Sequence, residues 1–250
     1  MMMVDPLVSI IMPAYNAEKY IDLSIKSVQE QTYSNWELLI IDDFSKDHTR
    51  DIITKYAEDI RIKPILLNQN SGIAHARNIG IKKSVGKYVA FLDSDDIWLG
   101  IKLHEQIEFM ERTHSQFTYS YYSVINEKNN YIRLVNGTPE TLEYRQLLKS
   151  NYIGLLTAVV SSEVIKRELM PNIPHEDYAM WLSILKKGYT ATLVPKVLAK
   201  YRVQNNSRSS NKLKAIAWTW NIYRRNQHQK FFKSLYYFSY YALTGLRKHL

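Results

Sequence analysis

Hydrophobic residues in the first part of the chain gather into four short continuous runs, at 7–12, 36–41, 62–67 and 88–92. They show little alternation, which predicts strands covered on both faces. Between the runs the spacing becomes helical. In AEKYIDLSIKSVQEQ, Ile21, Ile25 and Val28 fall at i, i+4 and i+7, and SKDHTRDIITKYAED opens with Ser45 and Asp47 as candidate N-caps. A third helix is predicted from near Gly72 through IAHARNIGIKKS. Strand and helix in this alternation predict a parallel sheet with right-handed crossovers. Further on, IKLHEQIEFMERTH reads as a helix, and QFTYSYYSVI and NYIRLV as a hairpin turned by NEKN. TPETLEYRQLLKSN reads as a helix opened by Thr138 with Pro139 at its first position, EDYAMWLSILKKG as a helix closed by Gly188, and TATLVPKVLAKYRV as a strand.

Each of the four early strands ends in a polar cluster: PAYN at 13–16, DDFSKD at 42–47, NQNSG at 68–72 and DSDD at 93–96. In an open α/β sheet the carboxyl ends of the strands form the edge where ligands bind. The last cluster puts Asp93, Asp95 and Asp96 within four positions. It reads either as a solvated strand end with a helix-capping Asp, or as carboxylates holding a hard divalent cation, Mn²⁺ or Mg²⁺, that neutralises a diphosphate. Asp42 and Asp43 are acceptors suited to a base or ribose, or are turn residues. Gly72 permits close backbone approach, and Arg77 offers a fork suited to phosphate or carboxylate.

Composition narrows the chemistry. The 250 residues are 46% hydrophobic and 23% charged, enough for a substantial core. The absence of cysteine excludes disulfides, thiolate metal sites and cysteine nucleophiles. No G-x-G-x-x-G follows the first strand, and G-x-x-x-x-G-K-[ST], G-x-S-x-G and H-E-x-x-H are all missing, which argues against dinucleotide oxidoreductases, P-loop NTPases, serine hydrolases and zinc peptidases. The pattern shows neither a leader segment nor a spanning helix, so a cytoplasmic protein is expected.

The segments VSIIMPAYNAEKYIDLSIKSVQEQTYSNWELLIIDDFSKDHT, NSGIAHARNIGIKKSVGKYVAFLDSDDIW, HEDYAMWLSILKKG and YRVQNNSRS together resemble an inverting family 2 glycosyltransferase. The resemblance implies the GT-A fold, an α/β architecture with a mostly parallel Rossmann-like sheet flanked by helices. It implies a catalytic domain over 1–211, with a nucleotide-sugar-binding half at 1–100 and an acceptor half at 101–211, followed by a C-terminal helical extension at 212–250. By the same resemblance Pro13, Tyr15, Asp42 and Asp43 surround uracil and ribose, and Asn70, Gly72, Arg77 and Asn78 shape the diphosphate side. Asp93 meets the ribose, Ser94 belongs to the same nucleotide-sugar set, and Asp95 binds the metal. Asp96 either supports that shell or caps the next helix. Asp177 aligns with the general base and Glu176 with its neighbour on the acceptor side, while His175 reads as a local hydrogen-bonding residue. Trp181 either stacks on an acceptor sugar or packs in the core. Arg202 and Arg208 are placed to contact phosphate, and Gln204 stands where many relatives have His.

The implied reaction moves a hexose from a UDP-sugar, UDP-Glc or UDP-Gal ahead of the N-acetylhexosamines, to a saccharide or lipid-diphosphate-linked saccharide in polysaccharide or O-antigen assembly. The alternatives are a catalytically weak nucleotide-sugar-binding subunit of a membrane assembly complex, and a nucleotidyltransferase on the same sheet.

Charge adds one more feature. The net charge of +9 is unevenly spread: beyond Asp177 the chain has 14 Lys and Arg and no acid. Residues 212–250 combine eight of these cations with ten aromatics, including Trp218, Trp220, Phe231, Phe232, Tyr236, Tyr237 and Phe238. The extension reads either as a helix pair packed on the catalytic domain or as an interfacial segment whose Arg224, Arg225, Lys230 and Lys233 meet anionic lipid at the inner face of the cytoplasmic membrane. No nucleic-acid recognition module is visible, and no pattern specifies an oligomeric state.

Overall fold

The computed structural model describes residues 5–204 and 212–247; Arg208 and the expected domain boundary at 211 lie outside the described residues. The early elements alternate as the pattern predicts: β1 Val8–Ala14, α1 Ile21–Gln29, β2 Trp36–Asp42, α2 Thr49–Tyr56, β3 Ile62–Leu66, α3 Ile73–Lys83 and β4 Tyr88–Phe91. Then follow β5 Ile97–Trp98, α4 Lys102–Thr113, β6 Phe117–Ile125, β7 Tyr131–Val135, β8 Thr141–Leu142 and α5 Tyr144–Leu147. The last elements are β9 Val159–Ser161, α6 Ser162–Ile165, α7 Glu176–Lys186, β10 Ala191–Arg202, α8 Lys212–Asn221 and α9 Phe231–Arg247.

The strands form one sheet in the order β3-β2-β1-β4-β9-β6-β10-β5, with β7 beside β6 and β8 beside β10. Strands β3, β2, β1 and β4 are mutually parallel. Strand β9 is antiparallel to both β4 and β6, and joins this half to the parallel pair β6 and β10. The parallel half explains the unbroken apolar runs. Ile11, Leu39 and Ile41 point into one core with α3 and α7. Their neighbours Ile10, Met12, Leu38 and Ile40 point into a second core with α1 and α4. Both faces are covered, so apolar residues dominate both, and the buried exceptions Ser9 and Glu37 are hydrogen-bonded to each other. Strand β3 departs from this expectation: it is an edge strand with a partly exposed surface, Leu66 included. Pro64 is tolerated there because an edge strand has one side free of ladder partners.

Helix α3 lies unusually close to the sheet. A Cβ at Gly80 would fall 2.6 Å from Ile11 Cγ2, so only glycine permits this seating.

The expected helix over TPETLEYRQLLKSN is replaced by coil, the short strand β8 and a single turn, α5. Thr141 and Leu142 instead pair with Thr192 and Ala191 at the start of β10. The Pro139 carbonyl accepts the Tyr119 hydroxyl. The turn of α5 is opened by a capping box between Glu143 and Gln146. The NEKN turn joins β6 and β7 as expected, with Asn126 Oδ1 accepting from the amides of Lys128 and Asn130.

The C-terminal extension packs on the first core. Helix α8 runs on into a π-helical turn, Ile222–Asn226, that buries Ile222 and Tyr223. The Tyr223 hydroxyl donates to the Leu148 carbonyl at 2.5 Å and lies 3.2 Å from that of Tyr178. Lys186 donates to the Gln227 carbonyl at 2.8 Å, and Tyr237, Phe238 and Tyr241 of α9 rest on the same core.

Lys102 is fully buried, its ammonium 4.3 Å from the Trp98 ring centroid and 2.5 Å from Gln106 Oε1. Burial pushes its pKa down to about 7. Below that value both folded and unfolded chains hold the proton and the penalty is full. As pH rises toward the ordinary lysine value only the unfolded chain holds it, so stability increases. Lys102→Met is therefore expected to raise denaturant stability at about pH 6 by on the order of 1–4 kcal/mol, an advantage that shrinks by about pH 10. Urea titrations at the two pH values check this.

Candidate active site

The carboxyl edge of the parallel half opens into two chambers that share Gly72, Ile73 and Asp93. The smaller, about 560 Å³, is lined by Pro13, Tyr15, Asn70, Ser94, Asp95 and Gln204 among others. The larger, about 920 Å³, takes in Arg77, Asp96, Tyr122, Tyr201, Glu176 and Asp177. Most of the residues singled out in the sequence thus meet at one edge, because parallel strands deliver all their following loops to the same end.

Asp43 and Asp42 leave the end of β2 in opposite directions. The Asp43 carboxylate lines the smaller chamber and accepts from the amides of Ser71 and Gly72 at 2.7 and 2.8 Å. It fixes the turn in which Gly72 adopts φ 89°, a left-handed value that suits glycine. Asp42 lines neither chamber. It is fully buried, and its Oδ2 accepts from Arg50 Nε at 2.6 Å and from the Ser45 amide. The resemblance placed it at the nucleotide; the structure ties it instead to α2 and its entry loop. Ser45 Oγ accepts the Asn16 amide instead of an amide of α2, whereas Asp47 accepts the amide of Thr49, the first residue of α2, as well as that of Glu18.

Asn78 and Arg202 are likewise engaged by other parts of the chain. Asn78 makes a two-way hydrogen bond with the backbone of Met170 and lines neither chamber. Arg202 is 2% exposed. Its Nε donates to the Asp95 carbonyl at 2.7 Å, its Nη1 donates to Asn129 Oδ1 at 2.7 Å, and its backbone amide donates to Asp96 Oδ1. It braces the DSDD turn against the β6–β7 turn instead of meeting phosphate. Asp96, buried and held by the Arg202 amide, supports the acidic shell and caps no helix; α4 begins at Lys102. Of the two roles left open for Trp181, the structure shows core packing: the ring is fully buried against Phe91 and Phe117.

Arg77 sits at the junction of the chambers. Its Nη2 donates to Asp93 Oδ1 at 2.6 Å and its Nη1 to Glu176 Oε1 at 2.5 Å. Burial opposes its charge, but Asp93 and Glu176 outweigh burial and hold its pKa above the ordinary value. The fork therefore binds protein carboxylates, the second of the two ligand classes the sequence allowed it. Asp177 follows at the first turn of α7. Burial and the neighbouring Glu176 push its pKa up, against the pull of Arg77. His175, the residue before α7, has φ 57° and places its ring edge-on to Trp218 at 5.4 Å. Its backbone carbonyl accepts the Ala179 amide as part of the helix, while its Nε2 is buried with no partner among the described residues.

Asp95 is raised by burial and by the charge of Asp93, and Gln204 Nε2 donates to its Oδ2 at 2.7 Å. Among the described residues no cluster of three or more His, Cys, Asp or Glu could hold a metal. A partly buried carboxylate with a second acid nearby fits a hard cation that takes its remaining ligands from phosphate and water, as Mg²⁺-type sites do. The donor set therefore suits a metal held jointly with a diphosphate.

The sequence profile of glycosyl transferase family 2 matches residues 9–174. The chain belongs to that family. It is a glycosyltransferase with the GT-A fold. It is 43% identical over 247 residues, 98% of each chain, to TuaG of Bacillus subtilis strain 168, whose designation as a teichuronic acid biosynthesis glycosyltransferase is provisional. It is 41% identical over 246 residues, 98% of this chain and 96% of the other, to WfgD of Escherichia coli, a UDP-Glc:alpha-D-GlcNAc-diphosphoundecaprenol beta-1,3-glucosyltransferase. The structure superposes with a TM-score of 0.71 and 17% identity on the mannosyltransferase PcManGT of Pyrobaculum calidifontis, solved with GDP-Man and Mn²⁺. That overlap covers 91% of this chain and 66% of the other, and speaks for the fold alone.

Sequence reasoning on this glycosyltransferase missed the far wall of the larger chamber: Tyr122, Tyr201, the 151–156 loop and Trp218. No local motif marks them. The one available signal was that QFTYSYYSVI and the strand ending in YRV would deliver tyrosines to the same edge if paired in parallel, as they are.

The Arg77 fork yields a prediction. Arg77→Met leaves two buried or half-buried carboxylates unpaired and is expected to destabilise the fold by about 3–5 kcal/mol. Arg77→Lys keeps the charge but loses one of the two bonds and should cost less. Denaturant unfolding of both variants checks the ordering.

Proposed function

We propose that this glycosyltransferase moves glucose from UDP-glucose to a sugar hydroxyl of a lipid-diphosphate-linked acceptor, with inversion, using Asp177 as the base. The observation that carries the reading is the division of the cleft: Asp95 faces the smaller chamber, Asp177 the larger, and Asp93 belongs to both. The relatives named for transfer from UDP-Glc to GlcNAc-diphosphoundecaprenol support this choice of donor and acceptor. Pro13, Tyr15, Asp43 and Asn70 then bound the nucleotide, with Gly72 and Ser94 toward its phosphates. The acceptor hydroxyl loses its proton to Asp177 as its oxygen attacks C1. The new bond forms on the face opposite the old one, whose electron pair leaves with UDP. The raised proton affinity of Asp177 suits a base working near neutral pH. Asp95 would hold a Mn²⁺ or Mg²⁺ ion, which when bound would supply positive charge against that developing on the diphosphate.

The extension supports a peripheral membrane role. On α9, Phe232, Leu235, Tyr236, Tyr240 and Leu243 are exposed and recur at helical spacing, so the face turned from the core is apolar and aromatic. Arg224, Arg225, Lys230 and Lys233 lie alongside in sequence and suit anionic headgroups. No helix among the described residues is long and apolar enough to cross a membrane.

The test is UDP release from UDP-glucose with a GlcNAc-diphosphate lipid, with Mn²⁺ or with chelator. Asp177→Asn is expected to lower transfer by roughly 10²-fold or more while sparing UDP binding. Asp95→Asn should weaken metal-dependent donor binding. Diphosphate release from a nucleoside triphosphate and a sugar 1-phosphate, with no UDP released from UDP-glucose, would identify a nucleotidyltransferase, and UDP binding without turnover across donors a binding subunit. Sedimentation with vesicles is expected to show binding to anionic and not to zwitterionic lipid, reduced by a Phe232→Ser, Leu235→Ser double substitution.

A further inference from the structure

The larger chamber is completed by the C-terminal extension. Trp218 of α8 is partly exposed and lines it, and the edge of His175 holds the indole in place from the start of α7, two residues before Asp177. Tyr122 and Tyr201, whose rings meet edge-on at 6.2 Å, belong to the same lining, as do the apolar Ile153 and Leu155. Asp93, Asp96, Glu176, Asp177 and Arg77 supply its charged groups. A pyranose ring offers apolar C–H faces and a rim of hydroxyls, so it suits a site with aromatic walls and carboxylates together. Among the described residues, none lining the smaller chamber comes from the extension.

Trp220, two positions along the same helix, makes an instructive contrast. Two residues turn an α-helix by roughly 200°, and Trp220 lines neither chamber; it packs edge-on against Phe231 and Phe238. One tryptophan holds the extension together and the other is presented to the cavity.

We propose that Trp218 is the platform for the acceptor's terminal sugar ring, holding its attacking hydroxyl toward Asp177, so that the C-terminal extension sets acceptor specificity. The proposal rests on the glycosyl-transfer reading above, and it separates acceptor from donor: Trp218 acts on the first and not on the second.

The experiment uses the full chain, UDP-glucose and a water-soluble, short-chain GlcNAc-diphosphate lipid, so that vesicle binding plays no part. Three quantities are read: UDP affinity, UDP-glucose hydrolysis without acceptor, and KM and kcat for the acceptor. Trp218→Ala is expected to raise acceptor KM by about tenfold, with kcat, UDP affinity and hydrolysis little changed. Trp218→Leu fills the space without an aromatic face and should behave like the alanine variant; Trp218→Phe should recover most of the loss. Trp220→Ala loosens the extension without touching the cavity and should leave acceptor KM within about twofold. Unchanged acceptor KM in Trp218→Leu overturns the proposal. So does an equal rise in Trp220→Ala, which would assign the effect to packing, or a parallel fall in UDP affinity. A failure of the unsubstituted protein to transfer at all would sink the glycosyl-transfer reading and this proposal with it, whereas transfer insensitive to Trp218 would sink this proposal alone.

Discussion

One buried guanidinium sets the geometry of the site. Arg77 joins the end of β4, through Asp93, to the start of α7, through Glu176, which lies 99 residues after Arg77 in the sequence. Each partner borders a different functional segment: Asp93 stands two residues before Asp95, and Glu176 one before Asp177. A planar fork whose two arms point in fixed directions can set the spacing between those segments, which a flexible ammonium could not. The arrangement also balances charge. Asp93, Asp95, Asp96, Glu176 and Asp177 crowd one edge of the sheet, and Arg77 is the cation set among them, offsetting their mutual repulsion.

How far the sequence announced this site depended on whether a residue's partner was local. The four early strands were legible because burial on both faces forces unbroken apolar runs, and the polar turns after them followed from parallel topology. Asp42 and Asp43 were indistinguishable, since alternation along a strand sends them to opposite sides but nothing local says which side holds the cavity. Arg50 decided the matter for Asp42. For Asn78 and Arg202 the obstacle was distance: their partners, Met170 and the Asp95 carbonyl and Asp96 carboxylate, are about a hundred residues away in the chain. The segment at 138–151 carried a sound helix-start signal in Thr138 and Pro139, but sheet pairing of Thr141 and Leu142 with β10 outweighed local preference.

The two tryptophans near the cleft illustrate the limit of periodicity. Trp181 lies on α7, which is buried nearly all round, so its spacing from Asp177 carried no information about exposure. Trp218 belonged to a basic aromatic tail whose composition suited either packing or an interface. The structure gives the tail two differently dressed sides: Ile222, Tyr223, Tyr237 and Phe238 contact the core, and an aromatic stripe on α9 faces away from it.

The seating of Gly80 bears on how the cleft can move. With no room for even a methyl group between α3 and β1, that helix has no slack to slide along its strand, and Arg77, one turn earlier, is carried on a rigid rail. The fork thus rides on a helix locked against the sheet, whereas the far wall of the larger chamber adds to its strand tyrosines the 151–156 loop and Trp218 of the docked extension, parts that lie outside the sheet.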